Sequence, residues 1–286
     1  MEVETRPTDS FEARFEHIIG PETEKRLYWR EMWGHRGLLK HLASRDVRVR
    51  YKQTVLGLLW GIIRPLLSVG AFTIIFGMIA ELPSQGDIPY PVMVLAGILP
   101  WQLFATGVLH ASASVTSNAV LVTHIYFPRM ILPTAALANG AIDFIVGLGM
   151  LMVMLFVTGH APNWRIVFVP CFAAMALLAA VGLGTWLAAL NVRYRDFGYL
   201  APFIMQLGFF ISPVGFATPV VADSWQTIYS LNPMVGVIEG FRWSVLGGNA
   251  PLDMTAVGLS LLVSTVVLVS GVAFFRRAED NFADYI

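Results

Sequence analysis

Long apolar runs alternate along this chain with short polar breaks, and the sharpest boundary falls within Leu42–Leu67, LASRDVRVRYKQTVLGLLWGIIRPLL. Arg45, Arg48, Arg50 and Lys52 crowd its first half, whereas Arg64 is the sole charge between Val55 and Ala80. A helix over Val55–Ala80 rises about 1.5 Å per residue and crosses a hydrocarbon layer of about 30 Å with length to spare. Five further runs of similar character cover Tyr90–Ala111, Thr134–Thr158, Ile166–Leu190, Leu200–Pro219 and Met254–Phe275. The pattern therefore predicts an all-α polytopic membrane protein with six transmembrane helices. Pro65 sits where it can kink the first span, beside an Arg64 able to snorkel to the headgroups. Gly97, Pro100 and Trp101 predict a second span that is bent or locally packed on a neighbour. Prolines 202 and 213 break the fifth.

The segments between the runs carry their own signals. Residues 1–28 are polar and mixed in charge, and read as a partly ordered leader. Tyr28, Trp29, Met32 and Trp33 beside Arg26, Arg30 and Arg36 read as an interfacial helix. In the basic block before the first span, apolar positions between the charges suit a helix lying along the interface, with a turn into the membrane at Thr54–Gly57. A plain positively charged flank fits the periodicity equally well. Ser112–Pro133, SASVTSNAVLVTHIYFPRMILP, is much more polar, and predicts a loop with a short helix across the membrane face. Val220–Asp253 is too polar to span, yet its LNPMVGVIEGFRWSVLG is apolar and too short to cross. It predicts a re-entrant or surface-lying helical pair, which at membrane depth must be packed in protein or line a cavity.

Composition agrees with this class: of 286 residues, 56% are hydrophobic and 13% charged, with a mean hydropathy of +0.65. That excludes an ordinary soluble domain. The formal net charge of zero hides an asymmetry, because eleven of the nineteen Lys and Arg residues precede position 53. Retention of Lys and Arg on the cytoplasmic side places both termini there, leaving Arg165 and Arg242 outside. The first fifty residues hold no apolar h-region, so the first span is expected to direct insertion. The chain divides into a cytoplasmic leader and amphipathic interface helix (1–54), a transmembrane domain (55–275) and a cytoplasmic tail (276–286). No internal repeat is visible, unlike the matched broken helices of inverted-repeat transporters.

Candidate chemistry is sparse. The only lysines, Lys25, Lys40 and Lys52, follow Glu24, Leu39 and Tyr51, so none completes a phosphate-binding Gly-Lys-Ser/Thr loop. The six histidines show no paired metal-ligand spacing. Cys171 lies alone in an apolar run and is expected to be a small buried hydrophobe. Asp143 is the main acid within a span. It either caps or pairs with a polar group such as Asn139, the preferred reading, or relays protons in an ion-coupled transporter. Asp223, Glu239, Arg242 and Asp253 are too scattered for a catalytic cluster, although Glu239 and Arg242 at i, i+3 can pair on one helix face. No enzymatic site is expected in this chain; catalytic and metal residues are none.

Five separated motifs then carry a resemblance. RDVRVRYKQTVLGLLWGIIRPLL, LPWQLFATGVLHASASVTSNAVLVTHIYFPRMILP, LNVRYRDFGYLAPFIMQLGFFISPV, LNPMVGVIEGFRW and the closing RRAEDNFADYI resemble, in order from about Tyr28 onward, the membrane (permease) subunit of type 2 ABC exporters. The resemblance is to the O-antigen, teichoic-acid and related polysaccharide permeases. The capsule-export branch usually shows an RFG…EP form of the first motif; RYK and Arg64-Pro65 stand here, placing that branch second. A small-lipid or drug exporter is a further alternative, as are an intramembrane enzyme of glycan assembly and an ion-coupled transporter.

The resemblance implies a homodimer in the bacterial inner membrane. It would work with two copies of a nucleotide-binding ATPase subunit, which holds the ATP and Mg, and export a lipid-linked glycan. This chain would carry no cofactor. Ser117–Arg129 would be the coupling helix seated in the ATPase, through Ser117, Asn118, Leu121, His124, Tyr126, Phe127 and Arg129. Arg193, Arg195 and Asp196 would supply a smaller second contact. His124 stands where relatives commonly carry Lys, which weakens the positive character of this loop. Leu38–Lys52 would flank the lipid entrance, with Arg45, Arg48, Arg50 and Lys52 available to an anionic headgroup. Asn232–Val245, with Asn232, Pro233, Glu239 and Arg242, would be the outer gate. Sugars stack on aromatic faces, so Trp60, Trp101, Phe104, Phe209 and Phe210 are candidates for the translocation path, with lipid-facing bulk the alternative for each.

Overall fold

The computed structural model describes residues 21–52, 59–81, 84, 88–160, 163–216, 223–247 and 252–285. The turn expected at 54–57 and leader residues 1–20 lie outside them. Among the described residues the chain is helical and contains no strand. It opens with α1 (Pro21–Gly34) and α2 (Arg36–Lys52), the helices predicted around the aromatic and basic blocks. The first span is α3 (Trp60–Phe72), which runs on as a π-helical stretch, Thr73–Ile79. The Ala80 amide there donates to the Ile75 carbonyl at 3.0 Å, the wider i→i−5 closure of a π-turn.

Next come α4 (Tyr90–Ser117), α5 (Ala119–His124), α6 (Ile131–Ala136) and α7 (Ala138–Val157). A 3₁₀ turn, Trp164–Phe168, leads into α8 (Val169–Arg193), followed by α9 (Phe197–Ile211). After α10 (Asp223–Tyr229) and α11 (Pro233–Leu246), α12 (Met254–Ala278) closes the bundle. A 3₁₀ turn, Glu279–Asn281, and the single-turn α13 (Phe282–Tyr285) end it.

Five helical stretches among the described residues are long and apolar enough to cross a membrane: Trp60–Ile79, Tyr90–Ser117, Ile131–Val157, Trp164–Arg193 and the one beginning at Met254. The run expected to be the fifth span forms the shorter α9, of 15 residues, about 22 Å long. It stops at Ser212, whose backbone is extended, as the residue before a proline prefers. Caps fix two other starts. The Asn232 side chain accepts the Met234 amide at 3.0 Å, with Pro233 at the first helical position, and Asp253 accepts the Thr255 amide at 2.8 Å.

The central helix is α4, with 78% of its apolar window buried inside the protomer, against 11% for the first span. It is apolar on every side because it is enclosed by α7, α8 and α11. Between membrane helices, close approach replaces the hydrophobic effect as the source of affinity, and small residues permit it. A Cβ on Gly182 of α8 would stand 2.6 Å from the Leu268 amide nitrogen of α12, and one on Gly184 the same distance from the Ala111 Cβ of α4. Two hydrogen bonds secure these contacts: Trp186 Nε1 to Ser270 Oγ and Asn191 Nδ2 to the Ser112 carbonyl, both 3.1 Å.

Cys171 is exposed on α8, correcting its expected burial. Phe172, Met175 and Ala176 take the inward stripe of this helix, which leaves position 171 on its outer face. A second apolar core, separate from the bundle centre, forms at the end that holds the helix termini of α4, α8 and α12 with α2, α6 and α13. This is called the termini end below, and the other the far end.

Candidate functional site

At the termini end the chain leaves α4 at Ser117, makes the short α5 and returns through residues 125–130 to α6. The excursion predicted from its polarity is present, although α4 extends through Ser117 before it begins. Phe127 is 4% exposed and belongs to the apolar core that holds Val122, Met130, Phe275 and Phe282, while Leu121 lies against the same core. Its neighbour Tyr126 is 89% exposed, and Val120 and Ile125 also point outward. Val122 and Phe127 thus anchor the excursion, while Val120, Ile125 and Tyr126 project from it. Ser117 and His124 are exposed; the latter's ring sits 2.9 Å from the Val120 carbonyl, closing its own helical turn. Asn118 Nδ2 donates to the Ser114 carbonyl at 2.8 Å, holding the bend.

Arg193, Arg195 and Asp196 occupy the exposed α8–α9 junction. Arg195 shares a cavity of about 340 Å³ with Thr116, Ala119 and Tyr285, so the two segments expected to form one docking surface are adjacent.

The basic helix α2 lies beside this platform. Arg45 is engaged inside the protomer: Nη2 stands 2.8 Å from Asp46 Oδ1 and donates to Asn118 Oδ1 at 2.7 Å. Arg48 Nε donates to the Ser44 carbonyl at 3.1 Å on the exposed side. Arg50 and Lys52 occupy the end of α2, and their side chains lie outside the described residues. Arg45, Arg64 and His110 line an open cavity of about 640 Å³ with Ser117, Asn118 and Asn139. Asp143 sits on α7 opposite Gly61 of α3.

Sequence alone missed the tail's part in this end of the molecule. Tyr28 of α1 donates to Glu279 Oε2 at 3.0 Å, and the Arg276 guanidinium lies 4.4 Å from the Tyr28 ring centroid. Burial, then the charge of Glu279 and the hydrogen bond to it, push the Tyr28 hydroxyl above the ordinary tyrosine range, so it remains a neutral donor. Arg129 Nη1 donates to the Glu279 carbonyl, and its guanidinium lies 5.9 Å from the Phe282 ring. The signal was available in the closing RRAEDNFADYI motif, but its partners are distant in sequence.

The five candidate aromatics divide. Trp101 and Phe104 of α4 are buried, 5.5 Å apart, and Trp101 stands 6.0 Å from half-buried Phe209 of α9. Phe72 of α3 extends this series, 5.5 Å from Phe209. Phe210 is exposed beside Phe209, and Trp60 lies apart, stacked with Arg64 at 5.9 Å.

At the far end α11 is wedged against α4, α8 and α12. Arg242 is fully buried and donates to three main-chain carbonyls: Met93 at 3.2 Å, Phe216 at 3.0 Å and Val214 at 2.7 Å. These carbonyls hold the guanidinium, and the charge of Glu239, its i, i+3 neighbour, acts on it as well. Asn232 Nδ2 donates to Ser212 Oγ at 2.9 Å, a second tie from the α11 start to the segment after α9.

This arrangement defines a multi-pass membrane protein with a platform at one end, and among the described residues no three His, Cys, Asp or Glu side chains are grouped to hold a metal ion. Residues 37–246 match the family model described as ABC-2 type transporter, and the chain belongs to that family. It is 28% identical to the O-antigen export system permease protein RfbA of Myxococcus xanthus over 260 residues, 90% of this chain and 98% of that protein. To the protein of the same name from Klebsiella pneumoniae it is 27% identical, covering 87% and 95%. With the polysialic acid transport protein KpsM of Escherichia coli it shares 22% identity, covering 84% and 92%.

Proposed function

We propose that this chain is the transmembrane subunit of an ATP-driven exporter that moves a lipid-linked polysaccharide of the O-antigen or teichoic-acid kind out of the cytoplasm. The observation that carries the reading is the anchored excursion at residues 117–129. Phe127 is locked in the core while Val120, Ile125 and Tyr126 stand exposed on a short, braced helix-and-loop beside Arg195. Buried anchors holding exposed aromatic and aliphatic side chains make a preorganised docking surface. An ABC ATPase subunit is its partner here, and ATP and Mg reside on that subunit.

The remaining assignments follow from the same reading. Both termini are cytoplasmic, as the basic block demands, and the membrane is the bacterial inner one. The fifth of the six spans is α9 together with the buried segment after it, and α10 and α11 form the outer gate, held shut by the Arg242 carbonyl cage and Asn232. The exposed apolar faces of α3 and α9 meet in a homodimer. Its interior is lined by Phe209 and Phe210, with Trp101, Phe104 and Trp60 behind or below them. Residues 1–54, 55–275 and 276–286 act as leader and interface helix, pore and tail. Arg48, Arg50 and Lys52 greet the anionic headgroup, with Arg45 bracing the helix that carries them. Capsular polysaccharide export is the second reading, supported by the similarity to the KpsM protein.

The test is purification of the tagged chain from its native membrane in mild detergent, with mass spectrometry and an ATPase assay. Recovery of a nucleotide-binding subunit in equal ratio, lost when residues 117–129 are scrambled, supports the reading. Recovery of the chain alone across several detergents sinks it.

A further inference from the structure

The tail after the last span is too polar to enter lipid, yet it is folded back and buried at one point. Phe282 is 2% exposed, edge-on to Phe275 at 5.2 Å and 80°, in the same cluster as Val122, Phe127 and Met130. Burying such a ring holds in place a single helical turn that has no stability of its own. On either side of this ring the tail meets the excursion again. Upstream, the Glu279 carbonyl receives Arg129 Nη1. Downstream, Tyr285 faces Thr116, Ala119 and Arg195 across the 340 Å³ cavity. The tail thus runs beneath the excursion from its last residues to its first and reaches the α8–α9 junction, while Tyr28 ties it to α1 through Glu279.

We propose that residues 279–285 position the docking surface, with Phe282 as the positioning residue, and that they hold residues 117–129 and Arg195 in one fixed relation. The inference rests on the reading of residues 117–129 as the ATPase contact, but adds an element that need not touch the ATPase through Phe282 at all. Phe282 acts through Phe127 and Arg129. Without the ring in place, Phe127 loses part of its wall and Arg129 loses its register with the tail, so the exposed Tyr126 no longer presents a single arrangement to a partner.

The experiment titrates the purified ATPase subunit onto the full-length chain in lipid nanodiscs, and measures both half-saturation and ATP turnover at saturation. Phe282→Ala is expected to weaken half-saturation by about tenfold while turnover at saturation stays near wild type, because the aligned arrangement becomes a minority that binding must select. Phe282→Leu, which refills the apolar slot, is expected to recover to within about threefold. Wild-type affinity for Phe282→Ala, or equal loss for both substitutions, overturns the proposal. Should Phe282→Ala fail to insert, Tyr285→Ala on the exposed end decides: weakened half-saturation upholds the proposal, and unchanged binding overturns it. If the wild-type chain itself binds no ATPase, the exporter reading falls first, and the positioning role with it.

Discussion

The guanidinium of Arg242 fills the space that a side chain at position 97 would need: a Cβ built on Gly97 would stand 2.6 Å from Arg242 Nη2 and 2.7 Å from the Val214 carbonyl. Glycine on α4 is therefore a condition for the buried cation on α11. Gly97→Ala is expected to destabilise by about 2 kcal/mol through overpacking. Thermal unfolding in detergent reads this directly, and an unchanged midpoint would contradict the geometry.

Arg242 itself satisfies three carbonyls, two of them in fully buried hydrogen bonds. Arg242→Met is expected to cost about 3 kcal/mol or more, since it strands those acceptors. Arg242→Lys should restore only part of that, because an ammonium is a point donor and cannot reproduce the planar fork. Equal stability for Lys and Arg would show that charge alone matters there.

Tyr126 and Phe127 are adjacent but opposite in role. Tyr126→Ala should leave the melting temperature within error, since the ring is 89% exposed, and should weaken capture of an ATPase subunit by about tenfold. Phe127→Ala should lower stability by about 3 kcal/mol, as a cavity in the termini-end core. Side-by-side melting and pull-down of the two variants checks the split; a Tyr126→Ala protein that captures the ATPase normally would remove Tyr126 from the docking surface.

Tyr28→Phe removes the phenol oxygen, and with it the hydrogen bond to Glu279 and the one to the Met130 backbone. Hydrogen exchange should show α1 opening more readily by about 1.5 kcal/mol, with α4 and α8 unaffected. Uniform protection across α1 in both proteins would mean that α1 is held by other contacts.

Asp143→Asn separates the exporter from an ion-coupled transporter. Export in cells is expected to be intact under the proposed function, in which ATP on a partner subunit supplies the energy. Abolished export in a protein that still inserts and binds its partner would revive the proton-relay reading.

The spans were legible because apolar runs of this length have few other uses, and the polar excursion after α4 was legible because its Ser, Thr, Asn and His residues and Arg129 interrupt one. The early stop of α9 was half-written in Pro213: the run of apolar residues continued past it, but Ser212 ahead of the ring had to leave helical geometry. What could not be read was the pairing of distant groups. The carbonyl partners of Arg242 come from α4 and from the segment after α9, so the local i, i+3 spacing, which named Glu239, could not reveal them. Likewise the closing motif drew notice, but nothing in it names Phe127 or Arg129 as neighbours. Burial of Cys171 was expected from an apolar neighbourhood, which in a membrane does not distinguish the inside of a bundle from its lipid-facing side.

The unequal enclosure of the helices also sets how freely each can drift. In α4 nearly every position meets protein, so a change of shape needs a matching change on α7, α8 or α11. In the helix beginning at Met254 only 17% of the apolar window is enclosed, and Leu261, Leu262, Val266 and Val269 face outward. Hydrocarbon chains accept any apolar outline, so those positions tolerate exchange among Leu, Val, Ile and Phe without a partner. A saturation library would therefore lose variants all along α4 and keep most apolar ones on the outer face of α12, which makes that face the natural place for a small apolar label or photocrosslinker.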